Sequence, residues 1–281
     1  MIVFMDGSPV SPPVGLPPVE RMILDTMSAS PTVFRFASPT SLLFELRMRA
    51  NILHSSNALA SSGARFSTFA QSTCNPQFWT RTPKGAFELR PDVSPADAIR
   101  DIYQNGNLYS FECATAMVIV LYRAIIETVG DAIFNDRFAN LTLYDWNYDR
   151  DLNLRRIDPA NVLPGDVVYF NNPDVSPLTP WWIGENAVDM GNGYYFGHGV
   201  GVVPGDEIIR ALNRNRIPGS TVSASLSDNV IAPGYHIMES WVNNPSANYE
   251  AIWSNPFPLR QSLMTVRVGE STEHRYLPVS F

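Results

Sequence analysis

The chain has 281 residues, 45% of them hydrophobic, which is enough to bury one substantial core. Its net charge is −7 and no block of Lys or Arg stands out, which excludes the basic footprint of nucleic-acid binding and of anionic-membrane binding. No apolar stretch is long enough to span a bilayer, and the first residues lack the basic start of a secretory signal. We therefore expect cytoplasmic synthesis without a signal peptide.

The Cys and His residues predict no metal site and no cofactor. Cys74 and Cys113 are too few for a disulfide framework, and their spacing does not match a CxxC site. The four histidines are scattered and form no HExxH or HxH pair. Metal chemistry is therefore not expected.

The first half of the chain is predicted to be mainly helical. Residues 1 to about 20 are proline-rich and are expected to run extended over the surface. Ser38-Pro39 and Ser94-Pro95 each predict a helix start, with Ser as the N-cap and Pro at the first helical position. The first of these helices is expected to stop near Gly63, and the second covers residues 95–104.

A third helix is predicted within residues 108–130, whose sequence is LYSFECATAMVIVLYRAIIETVG. Its apolar residues run all round the helix, which is typical of a helix buried at the centre of a domain. Gly130 is the expected stop. Cys113 lies where the preceding loop enters this helix.

The second half reads as strands. Short β-branched and aromatic runs bounded by Pro, Gly and Asn predict strands at Leu141–Trp146, Asp166–Phe170 and Tyr194–Val203. A short helix is expected at residues 205–213, and the order of elements after about 215 cannot be read. Helices followed by strands predict an α+β fold.

Cys113 is the candidate nucleophile. Amide N–H groups at a helix N-terminus are unpaired and carry partial positive charge, so a thiolate there is stabilised. The sequence thus predicts a thiol pKa below its ordinary value of about 8.5, with the same amides available for a developing oxyanion. Taken alone, Cys113 is better interpreted as a buried structural cysteine, which is common in hydrophobic helices. Cys74, in a turn-like segment, is read as structural.

Glu185 and His198 are candidate acid–base partners. Glu185 follows a glycine in a tryptophan-rich turn, and His198 is predicted on a strand between Gly197 and Gly199. A helix-borne Cys and a strand-borne His form the arrangement used by papain-like enzymes. Taken singly, Glu185 is interpreted as a solvated carboxylate in a turn and His198 as a hydrogen-bonded core histidine. Together with Cys113, the two residues favour a catalytic site.

Several segments together resemble one family, the spore-coat transglutaminases of Bacillus-type bacteria. They occur in the family's order over roughly residues 20–215 and are FELRMRANI, SGARFSTF, AIRDIYQNG, FECATAMVIV, LYDWNYD, DVVYFNNP, WIGEN and YYFGHGVG. The segment NVLPGDVVYFNNP also resembles the NlpC/P60 branch of papain-like hydrolases. The proline-rich start and the tail beyond about residue 215 depart from the family pattern.

The resemblance implies a fold and a domain division. We expect a single compact α+β domain with a papain-like NlpC/P60-type core, in which the nucleophile begins a buried helix packed on an antiparallel sheet. Residues 1–20 would be a proline-rich extension, 21–215 the catalytic transglutaminase domain, and 216–281 a C-terminal extension packed on the same domain.

The resemblance also implies a reaction and its residues. It is a calcium-independent transfer that forms ε-(γ-glutamyl)lysine cross-links between proteins and releases ammonia. Cys113 matches the nucleophile, Glu185 its partner carboxylate, Glu112 a second carboxylate, and His198 a histidine near the site.

The resemblance further implies a substrate tunnel and a location. Trp146 and Trp182 match residues that line a tunnel to the cysteine, and we expect Phe66 and Tyr169 to contact substrate with them. The partners would be spore-coat proteins with accessible Gln and Lys, and the location the spore coat surface. Two alternatives stay open: an NlpC/P60-like peptidase or amidase using Cys113 and His198, and a non-catalytic coat scaffold protein.

Overall fold

A computed structural model describes residues 1–9 and 13–243, and the backbone of two further strands at 260–268 and 271–279. The helices are α1 Pro18–Ala29, α2 Pro39–Ser61, α3 Pro95–Gln104, α4 Cys113–Val129, α5 Asp131–Arg137, α6 Gly205–Asn213 and α7 Tyr235–Asn243. The strands are β1 Ile2–Phe4, β2 Phe34–Phe36, β3 Arg65–Phe66, β4 Trp79–Arg81, β5 Phe87–Leu89, β6 Ser110–Phe111, β7 Thr142–Leu143, β8 Arg155–Arg156, β9 Val167–Asn171, β10 Gly184–Gly191, β11 Tyr194–Gly197, β12 Gly201–Pro204, β13 Ser225–Ala232, β14 Arg260–Val268 and β15 Ser271–Val279.

The predicted helix starts are confirmed. The side chain of Ser38 accepts a hydrogen bond from the N–H of Ser41, and Ser94 accepts one from Asp97, each with Pro at the next position. The buried helix α4 begins at Cys113 and ends before Gly130, whose φ of +86° suits a residue without a side chain. Local capping chemistry thus sets these boundaries.

An antiparallel six-stranded sheet carries the core, with strand order β12-β11-β10-β9-β13-β8. Residues of α4 pack in one cluster with Val167, Val188 and Phe196, while α6 packs with Val168 and Ala187 in another. Because side chains alternate along a strand, the two helices cover opposite faces. The predicted α+β fold, with the Cys113 helix buried against an antiparallel sheet, is confirmed.

Both ends of the chain contribute to this structure. Ile2 and Phe4 of β1 are buried against α2, and α1 already begins at Pro18, so the expectation that residues 1–20 run extended over the surface is wrong for these parts. Pro18 holds the first helical position, where its missing N–H costs nothing. Strand β13 lies inside the central sheet. The division at residues 20/21 and 215/216 stays a prediction.

Two strand predictions need correction. Of Leu141–Trp146 only β7 is a strand, because Asp145 has a positive φ of 50° that ends the extended backbone. The run Tyr194–Val203 divides into β11 and β12 around a turn, which Gly199 (φ +94°) and Gly201 (φ +92°) permit. His198 therefore lies in a turn rather than on a strand.

The segment around Glu185 also differs from its prediction. Residues 180–182 form a single 3₁₀ turn, and Glu185 itself lies on β10, paired with Phe170 of β9. The predicted turn is therefore wrong, and because the side chain is buried, the alternative interpretation of Glu185 as a solvated carboxylate is wrong too. Pairing of this part of β10 with β9 overrides the turn-forming residues of the local sequence. Among the described helices, none has both the length and the apolar character that a membrane crossing requires.

Candidate active site

The Cys113 sulfur lies among polar groups from two elements. Cys113 is the first residue of α4, and its Sγ–H donates to Oε2 of Glu112, the N-cap residue, at 3.3 Å. From β10, Nδ2 of Asn186 donates to the same sulfur at 3.5 Å. Only 1% of Cys113 is exposed. A substrate therefore reaches the sulfur only after neighbouring side chains move.

The amides at the start of α4 are occupied by Glu112. The N–H of Ala114 donates to Oε2 of Glu112 at 3.2 Å, and the interaction of this carboxyl with the N–H of Cys113 also acts to lower its pKa. The partial positive charge of the helix end therefore acts on Glu112 rather than directly on the thiol. The expectation that these amides are free to stabilise a thiolate or an oxyanion is wrong in this conformation.

The thiol pKa is raised, not lowered. Burial raises the pKa of Cys113 well above its ordinary value, and the negative charges of Glu112 and Glu185 raise it further. Both effects disfavour a thiolate more than the hydrogen bonds from Asn186 favour it. The predicted depression of the thiol pKa is corrected: the resting group is a neutral thiol beside a proton acceptor.

Two buried carboxyls share the site without a cation. Burial raises the pKa of Glu112 to about 7. Burial, followed by the charge of Glu112, raises the pKa of Glu185 well above its ordinary value. In the described part of the chain, one oxygen of each carboxyl, Oε1, has no hydrogen-bond partner. Both groups therefore hold protons near neutral pH, which suits acid–base chemistry.

His198 contacts the site mainly through its backbone. The interaction of its backbone N–H with the carboxyl of Glu185 acts to lower the pKa of that carboxyl, while its ring stacks on Phe111 with centroids 4.6 Å apart. Burial lowers the pKa of the imidazole to about 4. Nε2 has no partner among the described residues. The ring is therefore neutral at physiological pH, and its backbone helps to orient Glu185.

Two glycines leave space for larger side chains at the site, because they have no Cβ. A Cβ on Gly197 would lie 2.9 Å from Oε1 of Glu185, so this carboxyl packs directly on the glycine. A Cβ on Gly184 would overlap the ring of Tyr169, whose hydroxyl donates to the carbonyl of Ile183 at 3.4 Å. Burial, then the charges of the site, raises the pKa of Tyr169. Tyr169 thus lies beside the site, as the sequence predicts.

The other three predicted substrate contacts lie in different surroundings. Trp146 is buried in the same cluster as Cys113, and its Nε1–H has no partner within residues 1–9 and 13–243. Phe66 contacts the turn at Gly199. Trp182 is half-buried and packs against the cluster on the α6 face of the sheet. Its carbonyl accepts from Nδ2 of Asn172 at 2.8 Å, which fixes the loop before β10.

Asn186 is the polar contact that sequence reasoning missed. It follows Glu185 in the segment WIGEN, where the sequence analysis assigned no role to it. The available signal was a second polar residue directly next to Glu185, at the start of β10. The described residues contain no group of three or more His, Cys, Asp or Glu side chains that could hold a metal ion.

Comparisons with known proteins agree on one family. A family model described as protein-glutamine gamma-glutamyltransferase matches residues 2–242, which extends the similarity beyond residues 20–215 into the proline-rich start and the tail. Curated relatives of that name occur in Bacillus mycoides (strain KBAB4), 43% identical, and Bacillus cereus (strain B4264), 42% identical; both alignments cover 90% of this chain and 91% of the relative.

A solved structure is also similar. The transglutaminase from Geobacillus stearothermophilus, without its C-terminal extension, has a TM-score of 0.69 and 47% sequence identity, covering 72% of this chain and 97% of that one. The fold, the buried thiol–carboxyl cluster and these matches lead to the same assignment. The chain belongs to the protein-glutamine gamma-glutamyltransferase family.

Proposed function

We propose that this chain transfers the γ-glutamyl group of a protein glutamine to the amine of a protein lysine through a thioester on Cys113, with release of ammonia. The observation that carries the proposal is the hydrogen bond of the thiol to Glu112, with the second buried carboxyl of Glu185 close by. A nucleophile with adjacent proton-exchanging groups is what covalent acyl transfer requires.

The raised pKa values support distinct roles for the two carboxyls. Glu112, with a pKa of about 7, is partly ionised at neutral pH and accepts the thiol proton through its 3.3 Å contact. Glu185, whose pKa burial and the charge of Glu112 raise well above its ordinary value, is proposed to stay protonated and to act as the acid. His198, with a pKa lowered to about 4, acts as a positioning residue for Glu185.

Acylation proceeds in two bond changes. Sγ forms a bond to the carboxamide carbon of the glutamine as its proton passes to Glu112, and the carbonyl electron pair moves to oxygen. When that pair returns, the C–N bond breaks and the nitrogen takes a proton from Glu185, leaving as ammonia. A thioester and an ionised Glu185 remain.

Deacylation uses the same groups in reverse. A neutral lysine amine attacks the thioester carbon and gives a proton to Glu185, and the C–S bond then breaks to form the isopeptide bond. Glu112 returns its proton to the sulfur. Water competes for the thioester, so the burial of Cys113, which is 1% exposed, favours transfer over hydrolysis.

Apolar walls would guide the two substrate side chains. Trp146, Trp182, Phe66 and Tyr169 are proposed to contact the methylene stems of Gln and Lys. The half-buried positions of Phe66 and Tyr169 support this assignment for those two residues, because such side chains can move aside to open a path to the sulfur. For Trp182, which packs on the α6 face, the support is the motif resemblance alone. The reaction is proposed to need no calcium.

A paired cysteine substitution tests the proposal. Purified protein is incubated with casein and a fluorescent cadaverine, with and without a calcium chelator, and amine incorporation is measured. We expect Cys113→Ala to lose incorporation completely, Cys74→Ala to retain it, and the chelator to have no effect. Wild-type incorporation by Cys113→Ala would overturn the proposal, and ammonia release without incorporation would instead identify an amidase.

Spore-coat proteins are the proposed substrates, and the coat surface the proposed location. The support is the resemblance of the motifs to spore-coat transglutaminases. In a sporulating host, isolated coats made with the wild-type chain should contain ε-(γ-glutamyl)lysine that coats made with Cys113→Ala lack. Equal amounts in both coats would contradict this assignment.

A further inference from the structure

One residue of β10 directs two hydrogen-bond donors at the nucleophile. Nδ2 of Asn186 donates to Sγ of Cys113 at 3.5 Å, and the interaction of the sulfur with the backbone N–H of Asn186 also acts to lower the thiol pKa. Asn186 is only 3% exposed, so water does not satisfy these donors. Donors of this kind favour a negative charge on the atom they face.

The usual donors at this position are already occupied. At the start of α4, the N–H of Ala114 donates to Oε2 of Glu112, and the N–H of Cys113 also interacts with this carboxyl. A negative charge that develops next to Sγ must therefore be stabilised by another element. Asn186 is the residue that places donors there.

Strand register explains why the backbone of Asn186 is available. The last pair between β10 and β11 joins Ala187 to Gly197, so Asn186 lies one residue beyond the end of β11. The chain turns away after Gly197, and the start of α4 occupies the space beside β10. The N–H of Asn186 therefore interacts with Sγ of Cys113 rather than with the carbonyl of a neighbouring strand.

We propose that Asn186 is a further catalytic residue, whose side-chain amide and backbone N–H hold the sulfur as it ionises and then the carbonyl oxygen of the tetrahedral adduct. The role rests on the proposed function. As the S–C bond forms, the carbonyl electron pair moves to oxygen, one bond from the carbon that Sγ now carries. The donors need only a small shift to follow the charge, and they withdraw from the oxygen when the C–N bond breaks.

A neutral donor fits this site better than a cation. A Lys or Arg beside Glu112 and Glu185 would lower the pKa of both carboxyls and remove the proton that Glu185 must donate. The amide of Asn186 stabilises a transient negative charge without adding a permanent positive one. This is a reason for an asparagine next to the catalytic glutamate.

The test uses Asn186→Leu, which keeps the side-chain volume and removes the side-chain donor, and Asn186→Ser, a smaller polar variant, if the first does not fold. We expect kcat for amine incorporation to fall by about 10²- to 10³-fold with little change in KM. We also expect alkylation of Cys113 by iodoacetamide to slow at pH 7, with its pH midpoint moved upward.

A matched control removes another amide that bonds to the same helix. Nδ2 of Asn51 donates to Oγ1 of Thr128 at 2.9 Å. Thr128 lies near the far end of α4, about 22 Å from Cys113 at 1.5 Å per helical residue. Asn51→Ala should leave kcat and the alkylation profile within about twofold of wild type.

The outcomes are separable from those of the proposed function. A fall in kcat together with an upward shift of the alkylation midpoint supports the catalytic role. An unchanged alkylation profile overturns it, whatever happens to kcat, because a merely structural residue would give that result. Alkylation does not depend on acyl transfer, so it tests the contact of Asn186 with the sulfur even if Cys113→Ala were to retain cross-linking.

Discussion

The buried carboxyl of Asp166 and the two buried carboxyls of the active site have opposite surroundings. Both carboxyl oxygens of Asp166 have partners: its Oδ1 accepts from the guanidinium of Arg49 at 2.7 Å, and its Oδ2 accepts from the N–H of Leu163 at 2.8 Å. At the active site, Glu112 and Glu185 each keep an oxygen without a hydrogen-bond partner in the described structure, and no basic side chain forms an ion pair with them.

The difference separates stability from reactivity. Burial raises the pKa of Asp166 only to about 6, because Arg49 opposes it, and every oxygen is satisfied. Burial raises the pKa of Glu112 to about 7 and raises that of Glu185 well above its ordinary value, and no cation of the described residues is among the causes that oppose these shifts. The first group holds elements together. The second group, Glu112 and Glu185, retains protons that can be exchanged with a substrate, and burying these carboxyls without full hydrogen bonding lowers the stability of the fold.

Neutralising the reactive carboxyls should give the largest effect. Glu185→Gln preserves shape but cannot exchange a proton, so kcat for amine incorporation should fall about 10²- to 10⁴-fold. For Glu112→Gln, the loss of kcat should lie in the same range, because the thiol loses its hydrogen-bond acceptor at 3.3 Å. The exposed Glu88→Gln serves as the control and should retain activity. A loss below threefold in both site variants would remove the carboxyls from the mechanism.

Breaking the paired cluster should instead affect folding. Arg49→Met leaves Asp166 buried without its cation and should lower the free energy of unfolding by about 3–5 kcal/mol. Denaturant unfolding measures this, and kcat per folded molecule should not change. Arg90→Met, which removes an exposed pair with Asp92, should have little effect on either quantity. An equal loss of stability in both variants would contradict the comparison.

The unpaired carboxyls should make stability fall as pH rises. The pKa of Glu112 is 4.5 ordinarily and about 7 in the folded protein, so the folded state holds this proton more tightly. Its contribution is complete below pH 4.5 and is lost as pH rises to about 7, which corresponds to about 3 kcal/mol.

Glu112→Gln removes this contribution together with the part of the Glu185 and Cys113 pKa shifts that the charge of Glu112 causes, while the titration of His198 is common to both proteins. We expect the free energy of unfolding to fall more steeply with pH in the wild type than in Glu112→Gln between pH 4.5 and 7.5. Parallel curves for the two proteins would show that Glu112 does not hold its proton in the folded state.

Displacing a carboxyl slightly should give the smallest effect. In Gly197→Ala the new Cβ would lie 2.9 Å from Oε1 of Glu185, so the carboxyl must shift by a few tenths of an ångström. We expect kcat to fall about tenfold, since misplacement of catalytic groups by 1 Å costs about 10²-fold. Gly205→Ala meets the ring of Tyr195 at 3.0 Å, away from the site, and should leave kcat unchanged.

Local signals predicted the elements that local chemistry determines. The Ser-Pro helix starts at residues 38–39 and 94–95 and the stop of α4 at Gly130 depend on neighbouring residues only, and all three are present. The nucleophile's place at the first residue of α4 followed from the same reading. Motif order then predicted that Glu112, Glu185, His198 and Tyr169 lie near Cys113.

Features that depend on tertiary contacts could not be read in this way. Glu185 was expected in a turn because Gly184 and Asn186 favour turns, yet pairing with β9 makes β10 a strand. The thiol pKa was expected to be low, but its burial and the second carboxyl come from packing of α4 on the sheet. Asn186 gained its role only where β11 ends.

The thioester itself is the most direct measurement. Wild-type protein is mixed with a glutamine-containing peptide in the absence of any amine, quenched in acid within seconds, digested and analysed by mass spectrometry. We predict a mass increase equal to the peptide less one ammonia, carried by the fragment that contains Cys113 and absent from Cys113→Ala. Ammonia release with no adduct on Cys113, or an adduct on Cys74, would contradict the account.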